Sequence, residues 1–330
     1  MDIGAVIDGS SIAITGGTGT LGQAIVRELT RYYHPSKIVI ISRSESRQAS
    51  MKQNYPEDGG PMRYRIGDVR DLRRMNEALA DCKLVIHAAA LKRVETCEAE
   101  PEEALMTNVI GTLNVIKAAR NAGAERFMFV SSDKATAPIM TYGATKYMAE
   151  RLTVGMNAHR QGTSLKLSCV RYGNVLGSTG SVIHQFRSGD DGPIPITDKR
   201  MTRFWWTPRD AARFVLSSLS IMRGGEIFIP KIPAMHITDM AEAIAPDRPQ
   251  EIIGLRGPEK IHESMISPDE SRWALELRDR YVLMPALSFW PGASWPEAMP
   301  LPENWAYTSA WAAQRDPLTK ERLLEMLEDV

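Results

Sequence analysis

Residues 11–33 read as a strand, a glycine-rich turn and a helix, and this unit constrains the fold more than any other feature. The strand is apolar, and the turn carries glycines at the spacing Gly16-x-x-Gly19-x-x-Gly22. Glycines in this context let the backbone approach the pyrophosphate of a dinucleotide, whose charge then lies at the helix N-terminus. The turn residues predicted to bind the dinucleotide are Gly16, Thr18, Gly19, Thr20, Leu21 and Gly22.

Further strands and helices alternate after this first unit. The predicted strands are 37–41, 63–66, 84–87, 126–130 and 165–170, and the predicted helices are 71–80, 101–122, 142–159 and 211–222. This alternation indicates an α/β fold with a doubly wound parallel sheet of the Rossmann type, which binds ligands at the carboxyl ends of its strands. At 330 residues the chain is long enough for a smaller second domain as well.

The ends of the predicted strands supply further cofactor contacts. The second strand ends in Ser42-Arg43, where an NAD site usually offers a carboxylate to the ribose 2′-hydroxyl. A hydroxyl and a cation suit a 2′-phosphate, so the sequence favours NADP, with NAD as the alternative. Asp68 is expected to accept a hydrogen bond from the adenine amino group. The other predicted cofactor contacts are Val69, Ala88, Ala89, Ala90, Lys92 and Asn108.

The polar residues that follow strand 126–130 are the catalytic candidates. Ser131-Ser132-Asp133-Lys134 comes directly after that apolar run. Tyr142 and Lys146 are four residues apart on a predicted helix, so their side chains share one face. Because an ammonium group lowers the pKa of a neighbouring phenol, we expect Lys146 to lower the pKa of Tyr142. Tyr142 then takes a hydroxyl proton while a nicotinamide takes a hydride, and both residues also contact the cofactor.

Taken together, these motifs resemble those of the inverting UDP-N-acetylglucosamine 4,6-dehydratases, a short branch of the extended short-chain dehydrogenase/reductase family. The resemblance covers roughly Ser11 to Ser267, and a further short similar segment is Tyr307-Thr308-Ser309. Tyr142 favours the inverting branch, because the retaining branch often carries Met at this position. The segment Leu287 to Trp305, which contains three tryptophans, has no counterpart in the family. Besides the motifs already given, the resemblance is carried by segments 88–92, 171–178, 196–198, 201–205 and 254–263.

The resemblance implies a mechanism on UDP-N-acetylglucosamine. The sugar is oxidised at C4, water is eliminated across C5 and C6, and the hydride returns to C6, with inversion at C5. Lys134, if desolvated and neutral for part of the time, abstracts the C5 proton, and protonated Asp133 donates to the C6 hydroxyl. Ser132 hydrogen-bonds the C4 oxygen. The product, UDP-2-acetamido-2,6-dideoxy-β-L-arabino-hex-4-ulose, opens a pathway of the pseudaminic acid type.

The second half of the chain is expected to bind the substrate. Residues 1–170 are predicted to form the NADP-binding domain, with returning segments from about 205–235, and 171–330 form mainly the UDP-sugar-binding domain. Cations beside apolar side chains suit a nucleotide diphosphate and its uracil. The predicted substrate contacts are Lys92, Asn174, Thr197, Met201, Arg203, Arg256 and Glu259. Family likeness also implies a homo-oligomer, from a dimer to a hexamer.

Two other enzymes and one protein that is not an enzyme remain as alternatives. A retaining 4,6-dehydratase and a UDP-sugar 4-epimerase share Tyr142 and Lys146, and the epimerase releases no water. A non-catalytic NADP-sensing protein on the same fold usually lacks the Tyr/Lys pair and the strand-end acid. An adjacent acid and base, Asp133 and Lys134, favour dehydration over epimerisation, because a plain alcohol oxidation needs neither.

Composition and charge exclude several other classes. Lys+Arg and Asp+Glu both total 40, so the net charge is zero and no nucleic-acid partner is indicated. The N-terminus has no basic start and no long apolar run, and no stretch reaches the length of a membrane span, so we expect a cytoplasmic protein. Three separated cysteines indicate reduced thiols. The histidines His184, His236 and His262 lie at no ligand spacing, so no metal is expected.

Overall fold

Seven parallel strands form the centre of the computed structural model, which describes residues 2–159, 163–178, 183, 186, 192–255, 257–286 and 292–328. Their order is β3-β2-β1-β4-β5-β6-β10, so the strand order reverses between β1 and β4. A ligand crevice forms at such a reversal, outside the carboxyl ends of the strands. These strands are β1 (Ser11–Thr15), β2 (Lys37–Ser42), β3 (Met62–Ile66), β4 (Leu84–His87), β5 (Arg126–Val130), β6 (Lys166–Val170) and β10 (Ile227–Pro230).

Helices cover the sheet and confirm the predicted α/β, Rossmann-type fold. They are α1 (Gly4–Ile7), α2 (Thr20–Tyr32), α3 (Glu45–Asn54), α4 (Leu72–Ala78), α5 (Val94–Ala99), α6 (Pro101–Leu105), α7 (Gly111–Asn121), α8 (Thr141–Gly155), α9 (Pro208–Ile221), α10 (Ile237–Ile244), α11 (Ser309–Arg315) and α12 (Lys320–Glu328). Asp71 begins α4 as predicted, because its carboxylate accepts from the backbone N–H of Arg74 at 3.0 Å. Within the described part of the chain, no helix combines the length and the apolar character needed to cross a membrane.

The long helix predicted over 101–122 is interrupted. A π-helical turn, Met106–Ile110, separates α6 from α7. Gly111 follows this turn, and a Cβ there would lie 2.6 Å from Val69 Cγ2. The helix therefore approaches the β3 side of the sheet more closely than any side chain at Gly111 would allow. The helix predicted over 142–159 ends as α-helix at Gly155 and continues as a 3₁₀ turn, Met156–His159.

Strands from the last third of the chain extend the same sheet. β15 (Arg280–Leu283) pairs antiparallel with β10, and β14 (Ala274–Glu276) and β16 (Met299–Pro300) follow it, which gives ten strands. Smaller sheets lie beside it. They contain β7 (Asn174–Val175), β9 (Thr202–Trp206) and β11 (Ala234–His236); β8 (Ile194–Ile196) and β12 (Gln250–Ile252); and β13 (Ser264–Ile266) and β17 (Tyr307–Thr308).

The described part of the tryptophan-rich segment packs against the main core. Trp295 meets Phe228 of β10 edge-to-face, with ring centroids 5.9 Å apart. Trp305 stacks on Tyr307 at 6.0 Å and meets Trp311 at 5.5 Å. Residues 287–291, including Trp290, lie outside the described residues. The described tryptophans thus attach this segment to β10, to β17 and to α11 through aromatic contacts.

Candidate active site

A cleft of about 630 Å³ lies at the carboxyl ends of β1, β2, β4 and β5. It contains most of the residues predicted to bind the cofactor and one residue predicted to bind only the substrate. They are Gly16, Thr18, Gly19, Thr20, Leu21, Gly22, Ser42, Arg43, Val69, Ala88, Ala89, Ala90, Lys92, Ser132, Lys134, Tyr142, Lys146 and Asn174. Residues from both halves of the chain therefore meet around one cleft.

The glycine turn fits a dinucleotide. Gly16 has a positive φ of 68°, and a Cβ there would lie 2.8 Å from the backbone nitrogen of Ala89, so the turn passes directly over the end of β4. A Cβ at Gly22 would lie 2.4 Å from the carbonyl oxygen of Gly17, which lets α2 start close against the turn. Gly19 caps α2 with no side-chain hydrogen bond, so the first N–H groups of the helix are available to a pyrophosphate.

The end of the cleft beside β2 is cationic. Ser42 and Arg43 line it, and Arg47 of α3 joins them. Asp68 is not in the lining. Its carboxylate accepts from Arg70 at 2.7 Å and lies 3.9 Å from Arg43, and these arginines hold its pKa below the ordinary value against the opposite effect of burial. Sequence reasoning missed Arg47, although Arg43 and Arg47 lie only four positions apart, on either side of the start of α3.

Asn108 supports the cleft from behind and does not line it. Its side-chain oxygen accepts from the backbone N–H of Leu91 at 2.8 Å, and its amide donates to the carbonyl of Leu91 at 2.9 Å. The same amide donates to Thr145 of α8 at 3.0 Å. Asn108 thereby fixes the backbone beside Ala90 and Lys92, which do line the cleft.

The prediction that Lys146 lowers the pKa of Tyr142 is wrong. Burial raises the pKa of Tyr142 to about 12, and the groups that oppose this rise are Lys134 and Ser132. Burial lowers the pKa of Lys146 to about 7, partly opposed by Glu150. The Nζ atom of Lys146 donates to the carbonyl of Val130 at 2.6 Å and lies 4.0 Å from the ring centre of Phe129. Desolvation therefore outweighs charge at both residues.

Asp133 and Lys134 form a buried ion pair at the edge of the cleft. Lys134 Nζ donates to Asp133 Oδ1 at 3.0 Å and to Asn174 Oδ1 at 3.4 Å. Ser132 Oγ also donates to Asp133 Oδ1, at 2.9 Å. The Asp133 side chain is 1% exposed, and its Oδ2 atom has no hydrogen-bond partner among the described residues.

The prediction that Lys134 is neutral for part of the time is wrong, because its pKa is raised. Burial lowers the pKa of Lys134, but the carboxylates of Asp133 and Glu263 outweigh that effect and raise it above its ordinary value. Burial raises the pKa of Asp133, opposed by Lys134 and reinforced by Glu263. Without ligands, Lys134 is therefore an ammonium group and Asp133 is a carboxyl that binds protons more readily than usual.

The other predicted substrate residues that the structure describes lie away from the cleft lining. Arg203 of β9 donates to the carbonyls of Thr202 at 2.8 Å, Ile261 at 3.0 Å and Lys260 at 3.0 Å, so a diphosphate would have to replace these bonds. Met201 is buried, and Thr197 and Glu259 are half-buried in the loops that follow β8 and precede β13. Arg256 lies outside the described residues.

Glu263 is a member of this site that sequence reasoning did not single out. Its Oε1 atom lies 3.4 Å from Lys134 Nζ and 3.8 Å from Arg203 Nε, and its side chain is 3% exposed. It follows His262, which bonds Thr202 at 2.8 Å and lies outside any metal site. Among the described residues, no group of three or more His, Cys, Asp and Glu side chains is placed to hold a metal ion.

Comparison with known proteins adds family relationships to this geometry. Residues 12–285 match the family described as polysaccharide biosynthesis protein. A UDP-N-acetylglucosamine 4,6-dehydratase (inverting) of Campylobacter jejuni is 44% identical over 285 residues, which is 86% of this chain and 85% of the relative. A UDP-glucose 4-epimerase of Rickettsia rickettsii is 37% identical over 284 residues, or 82% of each chain. The X-ray structure of Pen from Bacillus thuringiensis has a TM-score of 0.87 at 33% identity and covers 98% of both chains.

Proposed function

The chain belongs to the family of polysaccharide biosynthesis proteins and is a nucleotide-sugar 4,6-dehydratase, and we propose that it dehydrates UDP-N-acetylglucosamine with inversion at C5, using NADP. The product would be UDP-2-acetamido-2,6-dideoxy-β-L-arabino-hex-4-ulose, at the first step of a pathway of the pseudaminic acid type. The printed activity of the Campylobacter relative supports this assignment.

The observation that carries the proposal is the pairing of Asp133 and Lys134 beside Tyr142. Tyr142 and Lys134 both line the cleft, and the carboxylate of Asp133 lies 3.0 Å from Lys134 Nζ. Elimination of water needs a base for the C5 proton and an acid for the leaving hydroxyl, in addition to the base for alcohol oxidation. Epimerisation needs only the last of these groups. The adjacent acid and base therefore favour dehydration.

The glycine turn, the residues at the ends of β2 and β4, Tyr142 and Lys146 would hold the cofactor. NADP supplies a hydride acceptor for C4, a hydride donor for C6 and a positively charged ring in its oxidised form. Tyr142 accepts the proton of the 4-hydroxyl, and Ser132 orients the C4 oxygen. Because the pKa of Tyr142 is raised to about 12 without ligands, its proton has to leave under the influence of bound positive charge.

One proton transfer converts the resting ion pair into the acid and base of elimination. Lys134 gives a proton from Nζ to Asp133 Oδ1, across the 3.0 Å that separates them. This produces a neutral amine, which accepts the C5 proton, and a neutral carboxyl, which protonates the C6 hydroxyl so that it leaves as water. The raised pKa of Asp133 favours the neutral carboxyl, whereas the raised pKa of Lys134 opposes the neutral amine, so the transfer has to be driven by the charge changes of the bound 4-keto sugar.

Arg43→Ala is expected to weaken NADP binding by roughly 10- to 100-fold and to leave NAD binding unchanged. The guanidinium group of Arg43 lines the cleft at the end of β2 and would make charge-assisted hydrogen bonds to the 2′-phosphate that NAD lacks, and loss of such a bond is worth about 1.5–3 kcal/mol. Fluorescence titration of the purified protein with each cofactor measures the two affinities. Arg73→Ala, at a residue whose side chain is 91% exposed, is the control. Equal losses for both cofactors would exclude a role for Arg43 in selectivity.

Incubation with UDP-N-acetylglucosamine in deuterated water tests the proposed reaction. We expect a product that has lost one water and carries deuterium at C5, and NMR of its sugar ring gives the configuration there. Loss of water with retained configuration would identify the retaining dehydratase, and a 4-epimer of unchanged mass would identify the epimerase. Retention of NADP with no turnover of any nucleotide sugar would indicate the sensing protein.

The substrate contacts and the larger assembly complete the proposal. Asn174 and Lys92 would contact the substrate within the cleft, and Thr197, Met201, Arg203, Arg256 and Glu259 from the loops beyond it, in a domain formed mainly by 171–330. A cytoplasmic homo-oligomer is proposed from the family resemblance. Apolar side chains exposed on neighbouring elements support self-association, namely Leu105, Met106, Tyr147 and Met148.

A further inference from the structure

A second buried carboxylate faces the ion pair from another part of the chain. Glu263 lies about 130 residues after Lys134 in sequence, in the segment just before β13, and its Oε1 atom is 3.4 Å from Lys134 Nζ. Arg203 approaches the same oxygen from β9 at 3.8 Å. The ammonium group of Lys134 is thus held between carboxylates contributed by two distant segments.

Both carboxylates are buried, so their charges and unpaired oxygens carry a large energetic cost. The side chains of Asp133 and Glu263 are 1% and 3% exposed, and each has one oxygen with no hydrogen-bond partner among the described residues. Leaving a buried carboxylate oxygen unpaired is unfavourable, and removal of either partner of a buried ion pair leaves an uncompensated charge. A buried acid that only stabilised the fold would be expected to use both oxygens.

We propose that Glu263 is a positioning residue for elimination: it fixes the Lys134 ammonium opposite Asp133 and sets the pH range in which the Asp133–Lys134 pair transfers protons. The inference rests on the proposed dehydratase function and adds to it a group that lies outside the cleft lining and contacts Lys134. Glu263 acts through Lys134 by attraction and through Asp133 by repulsion.

The direction of the effect follows from charge alone. A carboxylate near Lys134 stabilises the ammonium form, and the same carboxylate near Asp133 destabilises a second negative charge, so Glu263 raises the pKa of both. The other charged groups that face Glu263 are Arg203 and Lys260, and both lower its own pKa against the effect of burial. With these cations present Glu263 stays ionised, as the proposed role requires.

Glu263→Gln tests the inference in the protein without substrate. The substitution keeps the shape of the side chain and removes its charge, so we expect the pKa of Lys134 to fall by roughly one to three units. Competitive labelling with a trace of acetic anhydride over a pH series, followed by mass spectrometry of the Lys134 peptide, measures that pKa. Lys117, exposed on α7, provides the internal reference. An unchanged or increased pKa of Lys134 would overturn the proposal.

Turnover gives a second measurement. The pH profile of kcat for elimination is expected to move to lower pH in Glu263→Gln and to stay in place in Glu263→Asp, which keeps the charge and lowers kcat through its shorter reach. Arg203→Gln removes a positive charge that lies beside Glu263 and also acts on Lys134 directly, so this variant alone should move the profile to higher pH. Adding Glu263→Gln in the Arg203→Gln background should move the profile back to lower pH, and this double variant removes both charges of the pair, which keeps the test available if Glu263→Gln alone fails to fold. A profile that Glu263→Gln moves in neither background contradicts the role of Glu263. If the wild-type protein turns over no nucleotide sugar, the proposed function fails, and the labelling result still decides the electrostatic part.

Discussion

Lys134→Ala is expected to lower turnover of UDP-N-acetylglucosamine by about 10³-fold while cofactor binding stays intact. Lys134 lines the cleft, and its Nζ atom lies 3.0 Å from the acid that would protonate the leaving hydroxyl. Loss of a positioned general base typically reduces rate by about 10²–10⁴-fold. Oxidation at C4 depends on Tyr142, so a single turnover should still reduce the nicotinamide, as its absorbance will show. Wash-in of solvent deuterium at C5 should disappear.

Lys134→Arg distinguishes the role of Lys134 as a base from its role in the ion pair. Arginine keeps a positive charge between Asp133 and Glu263 but does not release a proton in proteins, so this variant should fold normally and still fail to exchange C5. Lys117→Ala, at an exposed lysine of α7, controls for the loss of a lysine in general. Normal deuterium incorporation in Lys134→Ala would remove Lys134 from the mechanism.

Tyr142→Phe is expected to abolish the earlier step, with a loss of about 10³-fold or more in C4 oxidation. The substitution removes a hydroxyl from a cleft residue and leaves the ring in place. No reduced nicotinamide should appear in a single turnover, which distinguishes this variant from Lys134→Ala. C5 exchange should vanish as well, because only the 4-keto sugar has an acidic C5 hydrogen.

Tyr147→Phe is the matched control, because Tyr147 lies on the same helix, α8, and is 40% exposed. Stopped-flow absorbance after mixing with UDP-N-acetylglucosamine measures both variants. If Tyr142→Phe reduces the nicotinamide at the wild-type rate, another group accepts the 4-hydroxyl proton.

The fold was predictable because its signals are local. The strand ending at Thr15, the turn through Gly22 and the first turn of α2 are adjacent in sequence, so glycine spacing and apolar periodicity are sufficient to predict them. Strand β4 was predicted with the bounds that the structure has, Leu84–His87. The antiparallel strands β14–β16 were not predicted. Each is only two to four residues long, which is too short for its apolar periodicity to be recognised in the sequence.

The sequence was sufficient to predict that the candidate catalytic residues lie together, and insufficient to predict their electrostatics. Asp133, Lys134, Tyr142 and Lys146 lie in one segment, and the structure brings them to one cleft or directly behind it. The ionisation of Tyr142 and Lys146 was predicted wrongly because burial, which sequence spacing does not reveal, outweighs the attraction between neighbours. Glu263 was missed because only the tertiary fold brings it to Lys134. Glu263 lies in a mostly polar stretch, so nothing in the local sequence indicates that it is buried against Lys134.

The way in which β10, β15 and β14 continue the strand order beyond β6 has a practical consequence for protein engineering. Removal of the chain after residue 170 would leave β6 as an edge strand, open to unintended association with other chains. Exchange between relatives of the loops proposed to contact the substrate should therefore graft them individually and leave strands β10, β14, β15 and β16 with the host scaffold.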